Sequence, residues 1–354
     1  MKEILDVRGL SCVFNLGGER VRAVSDVSFK MYEGEIFGIV GESGSGKTTL
    51  LRMIVGIYEA YLGEVYFFGE KIRQGTDGMY DELRELDRRG RVEFFDLLPK
   101  IFSSKEKREE AVFHAKNVNY DLQKQRNTLR ERLRTARTEG IRNRLAHPDI
   151  QMIFQDPTAS LNPRMTVGEI VAEGLIIKGG YTSDEIDALV DEMLLSVGIS
   201  PLYKSRYPAE FSGGQKQRIG IARALIMKPK LVIADEPVSA LDVSVGADII
   251  NLLLDMRERL LLSVLFIAHD LSVVRHVTDR VGVMYHGRLV ELGRTEDIYN
   301  NPIHPYTKSL LSAMPYPDPI FEKGRVRPTY DVKETSGGEL REVEDGHFVL
   351  SEDV

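Results

Sequence analysis

Among 354 residues there is a single cysteine, Cys12. An intrachain disulfide and a cysteine-built metal site are therefore excluded. No stretch reaches the roughly 18 consecutive apolar residues of a membrane-spanning helix. The best run, Leu260 to Ala268, is interrupted by Ser263. Met1 to Val7 hold no charged region followed by an apolar stretch, so no secretory signal is expected. Positive charge is not in excess either. The net charge of −7 argues against a dedicated nucleic-acid binder. A soluble cytosolic protein fits these absences, and any membrane contact is expected to come through a partner.

What is present is ample apolar content, 42% of the chain, enough for one large domain with additions or for two. Val27, Phe29 and Met31 alternate with Ser28, Lys30 and Tyr32, the period of a half-buried strand. Ile36 to Val40 is a short unbroken apolar run, as in a strand buried on both faces. A helix is expected after Gly46, with Leu50, Ile54 and Ile57 on one face. Further strands are expected at Gln151–Phe154, Leu231–Ala234, Val264–Ala268 and Val281–Tyr285. Helices are expected at Thr182–Val197, Gly213–Met227 and Val245–Leu260. This alternation predicts an α/β fold with a mostly parallel sheet.

Two regions have a different texture. From about Thr76 to Pro148 charges dominate, and Leu122, Leu129 and Leu133 recur at helical spacing. The segment 77–149 carries +3, and the rest of the chain −10. It reads as an inserted helical segment, a hairpin with breaks near Ser103-Ser104 or Gly140. A solvated helical pair without chemistry is the plainer reading. A role in contacting anionic lipid headgroups or an acidic subunit is the sharper one, since residues 121–144 are net +5. The tail from Asn300 holds six prolines within 29 residues, which predicts an extended appendage packed on the core.

Gly41-Glu42-Ser43-Gly44-Ser45-Gly46-Lys47-Thr48 fits G-x-x-x-x-G-K-[ST], with a buried strand before it and a helix after it. Glycines let backbone N–H groups converge on phosphate oxygens. The helix start adds partial positive charge. Lys47 would reach the β- and γ-phosphates, and the Thr48 hydroxyl would ligate Mg²⁺. A chance glycine-rich turn is the alternative, and the flanking elements argue against it. Leu231 to Glu236 is a buried strand ending in two carboxylates. Asp235 would hold Mg²⁺ and Glu236 would orient the attacking water, the parts that phosphoryl transfer to water needs. Taken alone, the pair reads equally as an acidic strand end. Ser212-Gly213-Gly214-Gln215 starts another helix, with Ser212 as N-cap. A second glycine-bearing helix start suggests two chains sharing two nucleotides, although a plain capped helix is a respectable alternative. Gln155 and His269 each follow a strand, where residues reach the ligand edge. Their proposed contacts, Gln155 to Mg²⁺ or water and His269 to the γ-phosphate, rest on the whole set.

In order, GESGSGKT, Gln155, Phe211–Gln215, Leu231–Pro237, Ser239–Asp242 and His269 resemble the full ABC ATPase pattern, over roughly residues 1–75 and 150–300. The resemblance implies a P-loop NTPase (RecA-like) core with the antiparallel β and helical subdomains of an ABC ATPase. On this reading residues 1–300 form the ATPase domain, with the insertion at about 76–148, and 301–354 form a C-terminal extension. The implied cofactors are ATP and Mg²⁺. The implied catalytic set is Glu236, His269, Gln155 and Lys47, and the metal set is Thr48, Gln155 and Asp235. Nucleotide contacts extend over Gly41 to Thr49, with Ser212, Gly213, Gly214, Gln215 and Asp242. Phe14 would stack near adenine. The loop of one subunit and Ser212–Gln215 of a second would enclose each ATP in a head-to-tail dimer.

Gln151 to Pro157, Ser160 to Thr166, Leu241 to Val245 and Asn301 to Thr307 resemble, more closely, the oligopeptide/dipeptide-permease ATPases. That group implies two membrane permease subunits, an external solute-binding protein and a second ATPase, identical or related. It places the chain at the cytoplasmic face of the membrane. Oligopeptides or dipeptides are the expected solutes, with oligosaccharides or nickel as alternatives. The chain departs from the group in lacking the C-terminal cysteine cluster that some members carry for an iron–sulfur centre, and in the length between Lys47 and Gln155. A soluble ABC-type ATPase acting on nucleic acid or ribosomes is the rival class. Against it stand the insertion's position before Gln155, the acidic remainder of the chain, and the Asn301–Thr307 tail.

Overall fold

The computed structural model describes residues 2–101, 105–142, 147–314, 330 and 338–351. Two sheets organise them. The first is antiparallel: β1 (Glu3–Leu16), β2 (Glu19–Tyr32), β4 (Leu62–Phe67) and β5 (Glu70–Gln74), in the order β2-β1-β4-β5. The second has eight strands: β3 (Ile36–Val40), β6 (Ile150–Ile153), β7 (Leu231–Asp235), β8 (Ser263–Ile267), β9 (Arg280–Tyr285), β10 (Arg288–Arg294), β11 (Glu339–Glu344) and β12 (His347–Ser351). Their order is β11-β12-β10-β9-β3-β8-β7-β6. From β9 to β6 every pairing is parallel; β10, β12 and β11 continue it antiparallel.

The helices are α1 (Lys47–Val55), α2 (Asp77–Ile101), α3 (Lys105–Arg142), α4 (Pro157–Ser160), α5 (Val167–Lys178), α6 (Ser183–Ser196), α7 (Gly213–Leu225), α8 (Val243–Leu260), α9 (Leu271–Val277), α10 (Thr295–Asn300) and α11 (Pro305–Ser312). β3, β7 and β8 are buried at every residue, as their unbroken apolar runs predict. Alternate residues of each strand serve two cores. Phe37, Ile39, Ile233 and Leu265 pack with α1 and the antiparallel sheet. Ile36, Val40, Val232 and Phe266 pack with α5 to α8. Full burial of each such side chain contributes about 1.5–3 kcal/mol. β2 buries Val27, Phe29 and Met31 as expected. Ile57 departs from expectation: Gly56 closes α1 in the left-handed conformation, and Ile57 beyond it is exposed.

The insertion is a helical hairpin. α2 and α3 pack on each other through Met79, Leu86, Leu129 and Leu133. α3, with 38 residues, is about 57 Å long. Gly140 lies inside it and breaks nothing; Ser103-Ser104 fall outside the described residues. The hairpin is rooted on the antiparallel sheet. Asp81 accepts from Arg20 at 2.5 Å and from the Tyr61 hydroxyl at 2.8 Å. Toward its far end Phe95, Phe113 and Tyr120 are exposed. The tail differs from the extended appendage expected of it. Pro305–Ser312 is helical, and β11–β12 form a hairpin that widens the main sheet beyond β10. The prolines at 315, 317, 319 and 328 lie outside the described residues.

Candidate functional site

The loop between β3 and α1 is shaped by its glycines. A Cβ on Gly41 would lie 2.1 Å from the Met284 carbonyl oxygen, and one on Gly46 would lie 2.4 Å from that of Ala23. Neither position has room for a side chain. Gly46 is the N-cap of α1 and contributes no side chain to it. The first amides of α1 are thus free to face an anion. Lys47 is buried, and its ammonium donates to the carbonyls of Gly41 and Glu42, both at 2.8 Å, and to Ser45 Oγ at 3.4 Å. Burial pushes its pKa down, opposed by Glu236, Asp235 and Glu42. Among the described residues no carboxylate forms an ion pair with it. A buried cation held only by neutral oxygens is suited to a phosphate.

β7 delivers the two carboxylates. Asp235, buried at the strand's end, accepts from the Thr48 hydroxyl at 3.0 Å. Burial raises its pKa; the Thr48 bond, Arg52, Lys47 and His269 pull the other way. The next residue turns sharply. Glu236 has φ +45, a conformation that costs a non-glycine residue about 1–2 kcal/mol. That turn, tied by the Glu236 N–H to the Ile267 carbonyl at 3.0 Å, lets consecutive carboxylates reach one cleft. Glu236 is buried beneath two exposed groups. Gln155 Nε2 donates to Oε2 at 2.7 Å, and His269 Nε2 lies 2.6 Å from Oε1. Burial raises the Glu236 pKa, His269 and Lys47 lower it, and Asp235 raises it again.

The structure thus brings together Gly41 to Thr48, Asp235, Glu236, Gln155 and His269. Thr49 lies in the first turn of α1. Among the described residues there is no preformed cluster of three or more His, Cys, Asp or Glu able to cage a metal. Thr48, Asp235 and Gln155 offer a sparse set of hard oxygens, which fits Mg²⁺ that keeps water and phosphate ligands.

Ser212–Gln215 lies apart. Ser212 caps α7 through a capping box: Gln215 N–H donates to its Oγ at 3.4 Å, and its own N–H donates to Gln215 Oε1 at 3.0 Å. Ser212 and Gly213 are exposed. A Cβ on Gly214 would meet Val245 at 2.5 Å, so the starts of α7 and α8 touch. Asp242, at the N-cap of α8, is exposed and caps with no side-chain bond. No hydrogen bond among the described residues links Ser212–Gln215 or Asp242 to Gly41–Thr49. Phe14 packs edge-on against Tyr58, with ring centroids 5.5 Å apart.

Two contacts carry no signal in the sequence. Gln217, buried in α7, donates to the Phe154 carbonyl at 3.4 Å, just before Gln155. Tyr306 Oη accepts from the Glu42 N–H at 3.1 Å. The Asn301–Thr307 run singles out the tail, but nothing in it points to the loop 264 residues earlier.

The family model described as "ABC transporter" matches residues 24–147 and 135–239, and "Oligopeptide/dipeptide transporter, C-terminal region" matches 290–337. The chain is similar to the oligopeptide transport ATP-binding protein OppF of Bacillus subtilis, at 43% identity over 99% of this chain and 96% of that one. It is similar to the dipeptide transport ATP-binding protein DppF of Lactococcus lactis, at 43% identity over 99% and 94%. Among solved structures, the dimeric post-hydrolysis state of the ATP-binding cassette MJ0796 with ADP and Pi matches with a TM-score of 0.57 and 25% identity, over 82% of this chain and 99% of that one. A sheet with its phosphate loop at β3, two carboxylates at the end of β7 and relatives of this similarity agree: the chain belongs to the ABC transporter family, among its oligopeptide and dipeptide transport ATP-binding proteins.

Proposed function

We propose that this chain is the ATP-binding and ATP-hydrolysing subunit of an ABC importer for oligopeptides or dipeptides. The observation that carries the hydrolytic role is Glu236, held between Gln155 and His269 beside the Thr48–Asp235 bond and the buried Lys47. Lys47 and the loop amides hold the β- and γ-phosphates. The Glu236 carboxylate accepts a hydrogen bond from the attacking water and orients it. Its burial raises its proton affinity, which suits a group that must take a proton. Among the described residues Gln155 and His269 are bound to Glu236 alone, and both are exposed. Each can exchange that bond for a substrate oxygen: Gln155 near the water, His269 at the γ-phosphate. Mg²⁺ held at Thr48, Asp235 and Gln155 would neutralise charge on the phosphates. Phe14 stacks at the adenine in this reading.

Ser212–Gln215 and Asp242 complete the site of a second ATPase subunit, identical or related. Their exposure and their separation from Gly41–Thr49 support this head-to-tail arrangement, as does the dimeric state of the MJ0796 cassette. No described helix is long and apolar enough to cross a membrane. The proposed partners are two permease subunits and an external solute-binding protein, with this chain at the cytoplasmic face. Residues 1–300 carry the ATPase, interrupted at about 76–148, and 301–354 form its extension. Peptides are favoured over oligosaccharides or nickel by the names of the relatives. The test is Glu236→Gln in the complex with permease. MgATP binding persists, while ATP turnover and uptake of labelled di- and oligopeptides stop. Full turnover in this variant would remove Glu236 from the reaction, and uptake of sugar or nickel alone would move the solute.

A further inference from the structure

The C-terminal segment reaches the phosphate loop through one buried phenol. Tyr306 is 1% exposed and packs its ring on Tyr285, with centroids 4.0 Å apart. Its oxygen accepts from the Glu42 N–H at 3.1 Å. The carbonyl of the same residue carries Lys47 Nζ at 2.8 Å and accepts from Ser45 N–H at 3.2 Å. Glu42 is therefore held from behind at its N–H while its carbonyl seats the lysine in front. Tyr306 is itself aimed by a buried network. Its N–H donates to His304 Nδ1 at 3.1 Å. The N–H groups of Ile303 and His304 donate to the two carboxylate oxygens of Glu291, at 2.8 and 3.1 Å. Glu291, on β10, is fully buried, and His347 Nε2 of β12 lies 2.8 Å from its Oε1. A buried carboxylate so fully engaged fixes the turn before α11.

We propose that Tyr306 is a positioning residue for the phosphate loop, and that residues 303–307, keyed on Glu291 and His347, are the strut that holds it there. This rests on the reading of Gly41–Thr48 as the nucleotide cradle. Backbone amides bind phosphate only while they converge, and the peptide bearing the Glu42 N–H starts that convergence. Burial pushes the Tyr306 phenol up to about 12, so it stays neutral, and the contact keeps its character, across the working pH range.

Tyr306→Phe removes one oxygen and keeps the ring on Tyr285. In the full chain, MgATP affinity falls about three- to tenfold, the worth of one hydrogen bond. In steady-state turnover of the assembled complex the loss lies in KM. Turnover at saturation stays within about twofold, because Tyr306 touches none of Glu236, Gln155 or His269. Unchanged affinity in a folded Tyr306→Phe chain overturns the proposal, even if its Tm falls, since that outcome marks a purely structural residue. Amide exchange in the unsubstituted chain, resolved by NMR without nucleotide, decides the matter independently of the variant's folding. The Glu42 N–H is protected at least about tenfold over that of Ser43, and equal exchange overturns the contact. Failure of the unsubstituted chain to bind MgATP would instead remove the cradle reading and leave the exchange result to judge the strut.

Discussion

The phosphate-loop cleft and the α2–α3 hairpin are built from the same charged residue types and use them oppositely. In the cleft Lys47, Asp235 and Glu236 are no more than 4% exposed, and each has one to three defined partners. In the hairpin Arg84, Arg88 and Arg89 stand in solvent, paired with Asp81 or Glu85 one helical turn away. Exposed pairs of this kind contribute little, because water and salt screen them. Buried charges are costly unless paired, so removing one strands its neighbours. The difference teaches where sequence change is felt, which is where a partner is left behind without water to replace it.

Glu236→Gln is the sharpest way to test that contrast. It preserves the shape and one of the two acceptor oxygens facing Gln155 and His269, so MgATP binding stays within about threefold while turnover falls about 10²- to 10⁴-fold. Single-turnover ATP hydrolysis measures it. Lys47→Ala comes next. It removes the ammonium from the Gly41 and Glu42 carbonyls, the latter keeping only the Ser45 N–H, and MgATP affinity falls about a hundredfold by titration, as expected for lost charge-assisted bonds. Excising residues 77–144 with a short linker is a far larger change of sequence and a smaller change of function. MgATP affinity shifts by no more than about threefold, through the lost Arg20–Asp81 contact near the β1–β2 turn. The same excised chain tests the basic face of 121–144. Binding to phosphatidylserine vesicles that survives excision would show that this face is not what meets lipid. Arg88→Ala, which removes two bonds to Glu85, leaves both affinity and Tm unchanged within error. A loss of affinity there as large as that for Lys47→Ala would break the comparison outright.

The parts of the molecule that were legible in the sequence share a physical cause. β3, β7 and β8 are apolar runs because both faces are covered, and the strands expected at 36–40, 151–154, 231–234, 264–268 and 281–285 each lie within one residue of their place, whereas β2 begins well before the alternation at Val27. Ser212 announces α7 because its hydroxyl caps the helix with local bonds. The hairpin was legible as charged helices with a thin leucine seam, and its small core bears that out. The sharp turn at Glu236 leaves no mark in the sequence, since no residue rule assigns a glutamate to positive φ. β12 could not be read. Its pairing with β10 is keyed by His347 on Glu291, two polar residues that composition assigns to the surface. Tyr306 was hidden for a different reason. A contact across 264 residues leaves no local period.

The Glu42–Tyr306 bond also sets an order of events during synthesis. At ribosomal rates of about 5–20 residues per second, roughly 13–50 s separate the emergence of its two ends. Over that interval the loop exists without its rear support, and β12, which pairs with β10, emerges later still. A nascent or prematurely terminated chain would then display the glycine loop and Lys47 yet hold nucleotide weakly. Such a fragment would be a poor competitor for ATP and for partner subunits, and emergence of Tyr306 and β12, more than folding of the first half, would mark the moment at which the site becomes competent.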